Sequence, residues 1–144
     1  MSEAIDVDGL FSEIQEDLAE SLRAHTCVIA KSNSAGLTIC LEDRQLLRQF
    51  LDDALIQIAG QQPGTILVLR GLFQDEIEGS GIFLLQLGPL LEASAAILER
   101  ATEPRPGLLA LDGQLDWVAD KDGLIWLEVK VPATLPDKAS LNAS

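Results

Sequence analysis

Across residues 43–59, Leu46, Leu47, Phe50, Leu51, Ala54, Leu55 and Ile58 recur at intervals of three and four. That spacing lines them up on one side of a helix, and no other stretch of the chain has so clear a helical period. Gly60, Pro63 and Gly64 end it, since glycine tolerates the unwound backbone of a helix terminus and proline cannot extend one. Two runs follow, 65–71 and 82–87, apolar at successive rather than alternate positions, as in strands inside a sheet rather than at its edge. A long one-sided helix beside such strands calls for a layered α/β domain.

The rest of the chain fits that frame. In residues 9–24, Leu10, Phe11, Ile14, Leu18 and Leu22 share one helix face, with Glu13, Glu16, Asp17 and Glu20 opposite and Asp8 as the expected N-cap. The stripe is narrow and nearly heptad-like, suited to the chain's own sheet or to a second copy in a homodimer. Residues 26–31 and 37–41 read as a hairpin that would set Cys27 across from Cys40. The acidic stretch 74–79 reads as a solvated loop, and a further helix is expected over 90–100, just after Pro89. Pro104 and Pro106 make 102–107 irregular.

A last hairpin joins 115–119 to 124–131 through 120–123. On its second strand Ile125, Leu127, Val129 and Val131 share a face, while Trp126, Glu128 and Lys130 point the other way. A symmetric turn would set Trp117 opposite Trp126, both on the face away from the helices. The expected architecture is a two-layer α/β sandwich: one mixed, mostly antiparallel sheet of about six strands with helices on one face, plus an N-terminal helix. Its parts are a flexible start (1–8), the N-terminal helix (9–25), the main domain (26–132) and a flexible tail (133–144).

Ten basic against 23 acidic residues give a formal charge of −13. Such a field repels polyanions, which argues against nucleic acid and anionic membrane surfaces as partners. No apolar run approaches the roughly 20 residues of a membrane span, and the acidic first residues do not resemble a signal peptide, so a cytoplasmic protein is expected. In that compartment Cys27 and Cys40 are expected to remain thiols. His25 is the only histidine, so neither a His-pair metal site nor a histidine-based catalytic network can be assembled. Its place at the end of the first helix suits contact with the terminal carbonyls better than phosphoacceptance.

Three segments, in order, resemble the ATP-binding domain of histidine kinases. Residues 48–58 follow the rhythm of that family's Q-[VIL]-L-x-N-L-L-x-N-A helix, with Gln57 at the place of the magnesium-binding Asn. Residues 84–91 resemble its V-x-D-x-G-P-G-I strand and loop. There Gln86 replaces the adenine-reading Asp, Gly88 is kept, and Leu90 replaces the second Gly. Residues 112–132 resemble its closing G-G-x-[IL]-x-V-x-S-x-x-G-x-G-T-x-F-x-[LV]-x-[LV]-P hairpin. The resemblance implies the α/β sandwich shared with gyrase, Hsp90 and MutL, and a degenerate ATPase site.

On that reading Asp53, Gln57, Gln86, Gly88 and Leu90 outline a vestigial pocket with no cofactor and no catalytic residue. Leu90 lacks the small volume and backbone freedom of glycine, and the short interval between Gly88 and Gly113 leaves little room for a nucleotide lid. The expected function is a non-enzymatic adaptor in bacterial signalling, docking a response regulator or kinase through Trp117 and Trp126. One alternative is a divergent ATP-dependent kinase using Asp52 or Asp53 for the metal. The other is a sensor holding a small ligand near Leu55, Gln57, Gln86 and Leu90.

Overall fold

The structure is a computed structural model, and residues 3–31, 37–77, 80–101 and 111–135 are described. The order is β1 (Glu3–Asp6), α1 (Val7–Arg23), β2 (Val28–Lys31), β3 (Thr38–Leu41), α2 (Arg44–Gln61), β4 (Ile66–Ile77), β5 (Ser80–Leu90), α3 (Glu92–Ala101), β6 (Gln114–Ala119) and β7 (Ile125–Thr134). The strands form one seven-stranded sheet ordered β1-β3-β7-β5-β4-β2, with β6 also paired to β7. Among the described residues only β2–β4 is parallel. The expected mixed α/β sandwich is therefore the observed fold, with one strand more than the sequence suggested.

The core lies between the sheet and the helices. Leu67, Leu69, Phe83, Leu85, Leu87, Val129 and Val131 supply the sheet side, and the apolar faces of α1, α2 and α3 supply the other. In α2 this face holds Leu47, Phe50, Leu51, Ala54, Leu55, Ile58 and Ala59. Asp43 caps the helix, accepting from the backbone N–H of Gln45 at 3.0 Å and of Leu46 at 3.2 Å. No helix among the described residues is long and apolar enough to cross a membrane.

Several expectations give way to long-range pairing. The presumed loose start contains β1, whose Glu3–Asp6 pairs with β3. Asp6, not Asp8, precedes α1, and Asp8 instead meets Lys31 at 3.1 Å. The presumed hairpin of β2 and β3 is not one: β2 pairs with β4 at one end of the sheet order, while β3 pairs with β1 and β7 near the other. Cys27 and Cys40 are thus free and far apart in the sheet order. Most of the presumed loop 74–79 is strand, paired as far as Ile77↔Ser80, and β7 continues to Thr134 into the presumed tail. The irregular stretch expected over 102–107 and the tail from 136 lie outside the described residues.

The α1 stripe has one resolution. Leu10, Phe11, Ile14, Leu18 and Leu22 are buried inside the single chain, none more than 6% exposed. They face the chain's own sheet and are not available to a second copy in this fold.

Candidate functional site

The five residues expected to share a pocket are divided between the two faces of the sheet. Asp53 and Gln57 lie on the exposed side of α2, in the helical layer. Gln86 and Gly88 alternate with the core residues Leu85 and Leu87, so they face away from the helices. Leu90 is wholly buried and joins the core, as does Leu55. The arrangement brings Gln57 together with neither Gln86 nor Leu90 around a common space.

What lies beside Gln57 is apolar packing. Phe50, Ala54, Ile58, Leu98, Leu115, Trp117 and Leu127 close around a void of about 10 Å³, which is room for about one water. Trp117 is therefore on the helix-facing side, correcting its expected position on the open face. The reason is register: Trp117 pairs with Leu127, and Val118 is the residue opposite Trp126.

Trp126 does lie on the open face, but it is only 8% exposed. Gly88 provides its seat: a Cβ there would come within 3.1 Å of the indole. The indole Nε1–H donates to Asp120 Oδ2 at 2.9 Å. Arg70 stacks on the ring, its guanidinium carbon 4.3 Å from the centroid. The result is a covered tryptophan, not the bare aromatic anchor the sequence suggested. Beside it Arg70, Gln86, Val118, Lys121 and Asp122 border an open groove of about 310 Å³.

Asp120 organises the β6–β7 turn as well. Its Oδ1 accepts from the backbone N–H of Asp122 at 2.8 Å and of Leu124 at 3.1 Å, while Gly123 takes the positive φ of 81° that the turn needs. The Trp126 hydrogen bond first, then these backbone bonds and the Arg70 charge, hold its carboxyl below the usual range.

Two features had no signal in the sequence. Gln62, just past α2, is 6% exposed. Its amide donates to the Pro89 carbonyl at 2.9 Å and accepts from the Leu91 N–H at 3.1 Å, tying α2 to the β5–α3 turn. Arg48 joins α2 to α1, reaching Glu13 at 2.8 Å, Asp17 at 2.7 Å and Asp52 at 3.0 Å; Arg44 also pairs with Glu13. Burial pushes the Asp52 carboxyl up, and Arg48 offsets only part of that. Asp52 is thus committed to a guanidinium. Among the described residues no three His, Cys, Asp or Glu side chains converge as metal ligands.

No protein-family model and no curated protein matches the sequence. Solved structures do match the fold. The histidine kinase AdeS of Acinetobacter baumannii superposes with a TM-score of 0.62 at 11% identity, over 95% of this chain and 68% of that one. The mycobacterial sensor histidine kinase MprB gives 0.59 at 14% identity, over 94% of this chain and 100% of that one. The histidine kinase ThkA, solved in complex with the response regulator TrrA, gives 0.54 at 11% identity, over 91% and 41%. With these similarities in hand, the seven-stranded sheet and its three helices have the fold of histidine kinase catalytic domains.

Proposed function

We propose that this chain is a non-enzymatic protein of bacterial two-component signalling, a pseudo-ATPase that docks a protein partner such as a response regulator or kinase in the cytoplasm. The observation that carries the reading is the separation of Gln57 from Gln86 onto different faces of the sheet. A nucleotide bound as in the family would have to meet both places at once. Among the described residues the void beside Gln57 holds about 10 Å³, whereas a nucleotide needs a cleft of several hundred Å³. The residues present do not fit magnesium and ATP, and no catalytic step is derived through them.

Docking is supported by likeness of fold to a kinase solved with its response regulator. The five α1 residues expected to make a homodimer are core residues, so the proposed partner is a different protein. The divergent-kinase alternative loses one of its two metal candidates where Asp52 is held by Arg48. The small-ligand alternative is disfavoured because Leu55 and Leu90 are fully packed and Gln86 faces elsewhere.

Isothermal titration with Mg-ATP and Mg-ADP tests the proposal. No heat of binding is expected at millimolar nucleotide, and micromolar affinity would overturn it.

A further inference from the structure

The sheet carries helices on one face only, and the other face keeps large aliphatic side chains in solvent. Val28 is 59% exposed, Ile66 61%, Leu72 55% and Val118 39%. These are not scattered. Val28 and Ile66 are register partners on β2 and β4. Leu72 lies on the same face of β4 as Ile66, and Val118 on the same face of the sheet opposite Trp126. Arg70 lies on the same face of β4 between Ile66 and Leu72, and its guanidinium reaches over to stack on Trp126.

The charge on this face has a direction. Asp116 and Glu128 are register partners on β6 and β7, and like charges opposite one another on neighbouring strands repel. Lys130 approaches Glu128 only to 3.8 Å. Asp120 and Asp122 extend the negative flank around the β6–β7 turn, where Lys121 and Arg70 stand beside them. The apolar side of the face therefore borders a mixed side on which the carboxylates of Asp116, Asp120, Asp122 and Glu128 outnumber the bases Arg70, Lys121 and Lys130, in a chain of formal charge −13.

We infer that this open face binds an amphipathic helix of the partner, its apolar side on Val28, Ile66 and Leu72 and its basic flank toward Asp116 and Glu128. The inference rests on the docking function proposed above and specifies its surface and the chemistry of its partner. From Ile66 to Leu72 a strand rises about 20 Å, a length that about thirteen residues of helix would cover. A helix laid there gives the sheet the third layer that α/β domains commonly have. A cation placed between Asp116 and Glu128 relieves their repulsion. A second copy of this acidic chain is the poorer occupant, since it would bring a further −13 to the interface.

The probe is a synthetic amphipathic peptide of about 18 residues, five helical turns, with leucines on one side and lysines on its flanks. Its control replaces every lysine with glutamate. Fluorescence anisotropy should show the lysine peptide binding the wild-type chain and the glutamate peptide failing to bind. Ile66→Glu with Leu72→Glu, and separately Asp116→Lys with Glu128→Gln, should each weaken binding by about ten-fold or more. These sites are largely exposed or polar, and circular dichroism verifies that the variants fold. Amide chemical shifts of the wild-type chain give a reading without mutation: the peptide should move Val28, Ile66 and Leu72 and leave α1 and α2 unmoved.

Absence of peptide binding, equal affinity for both peptides, shifts confined to the helical layer, or self-association of the wild type through this face would each overturn the inference. A Mg-ATP titration of the same samples separates the two claims. Nucleotide binding would overturn the docking function itself. Silence toward both nucleotide and peptide would overturn this surface alone.

Discussion

Trp126 and Asp120 are joined across the β6–β7 turn by a 2.9 Å hydrogen bond from indole nitrogen to carboxylate oxygen. The carboxylate is the form that accepts it, which is why the folded state holds Asp120 below its ordinary value. A depressed carboxyl contributes stability that is complete above its unfolded pKa and is lost as pH falls through the folded one. The thermal midpoint of the wild type should therefore exceed that of Asp120→Asn at neutral pH. The gap should close below about pH 4, the range of an ordinary aspartate. A gap that widens on acidification would refute the assignment.

Arg48 is the only cation reaching Glu13, Asp17 and Asp52 together among the described residues, and its side chain is 14% exposed. Arg48→Met keeps most of the packing but takes the guanidinium from Asp17 and Asp52 and leaves Glu13 to Arg44 alone. It should cost about 1–3 kcal/mol in urea unfolding. Asp52→Asn should cost less, because burial already disfavours the charged form. Equal losses for the two variants would mean that Glu13 and Asp17 contribute nothing to the junction.

Ile14 lies in the centre of α1 and has no exposed surface. Ile14→Asp should therefore unfold the chain or cost it upwards of about 4 kcal/mol. Sedimentation velocity combined with circular dichroism distinguishes this from dissociation of a dimer. A folded monomer of the variant, from a wild type that sediments as a dimer, would restore the α1 interface that the sequence suggested.

Gln57→Asn with Gln86→Asp returns two family residues to the chain. Calorimetry should still detect no Mg-ATP binding, because position 57 lies on α2 in the helical layer and position 86 points from the other face of the sheet. Recovery of nucleotide binding would show that β5 can turn over to bring position 86 toward α2.

The contrast between these residues shows what the sequence could disclose. Helices α1 and α2 were legible because Leu10 to Leu22 and Leu46 to Ile58 repeat with a period that nothing but a helix satisfies. The β6–β7 hairpin was legible because its turn is local, yet its register was not. The pairing runs one position away from the symmetric one, with Val118 opposite Trp126, and that single step puts Trp117 on the other side.

Strands β2 and β3 misled for a different reason. Adjacency in sequence suggested a hairpin, but β2 pairs with β4 in parallel, and β3 pairs with a β1 of four residues that lacks any turn signal. Such partners are chosen by burial across the whole sheet. The pocket residues failed likewise: motif order was readable at Gln57 and Gln86, whereas the face each occupies depends on strand register. Gln62 was invisible because glutamine in a loop has no pattern until Pro89 and Leu91 arrive beside it.

That glutamine has a mechanical consequence. In addition to its two side-chain bonds, its carbonyl accepts from the Thr65 hydroxyl at 2.8 Å, and its N–H closes the last turn of α2 on Ile58 at 3.0 Å. One residue thus welds a helix end, the approach to β4 and the entrance to α3 into a single stiff corner. Force applied to α3 passes through that corner into α2 instead of being absorbed by a hinge, so the two helices should respond as one lever.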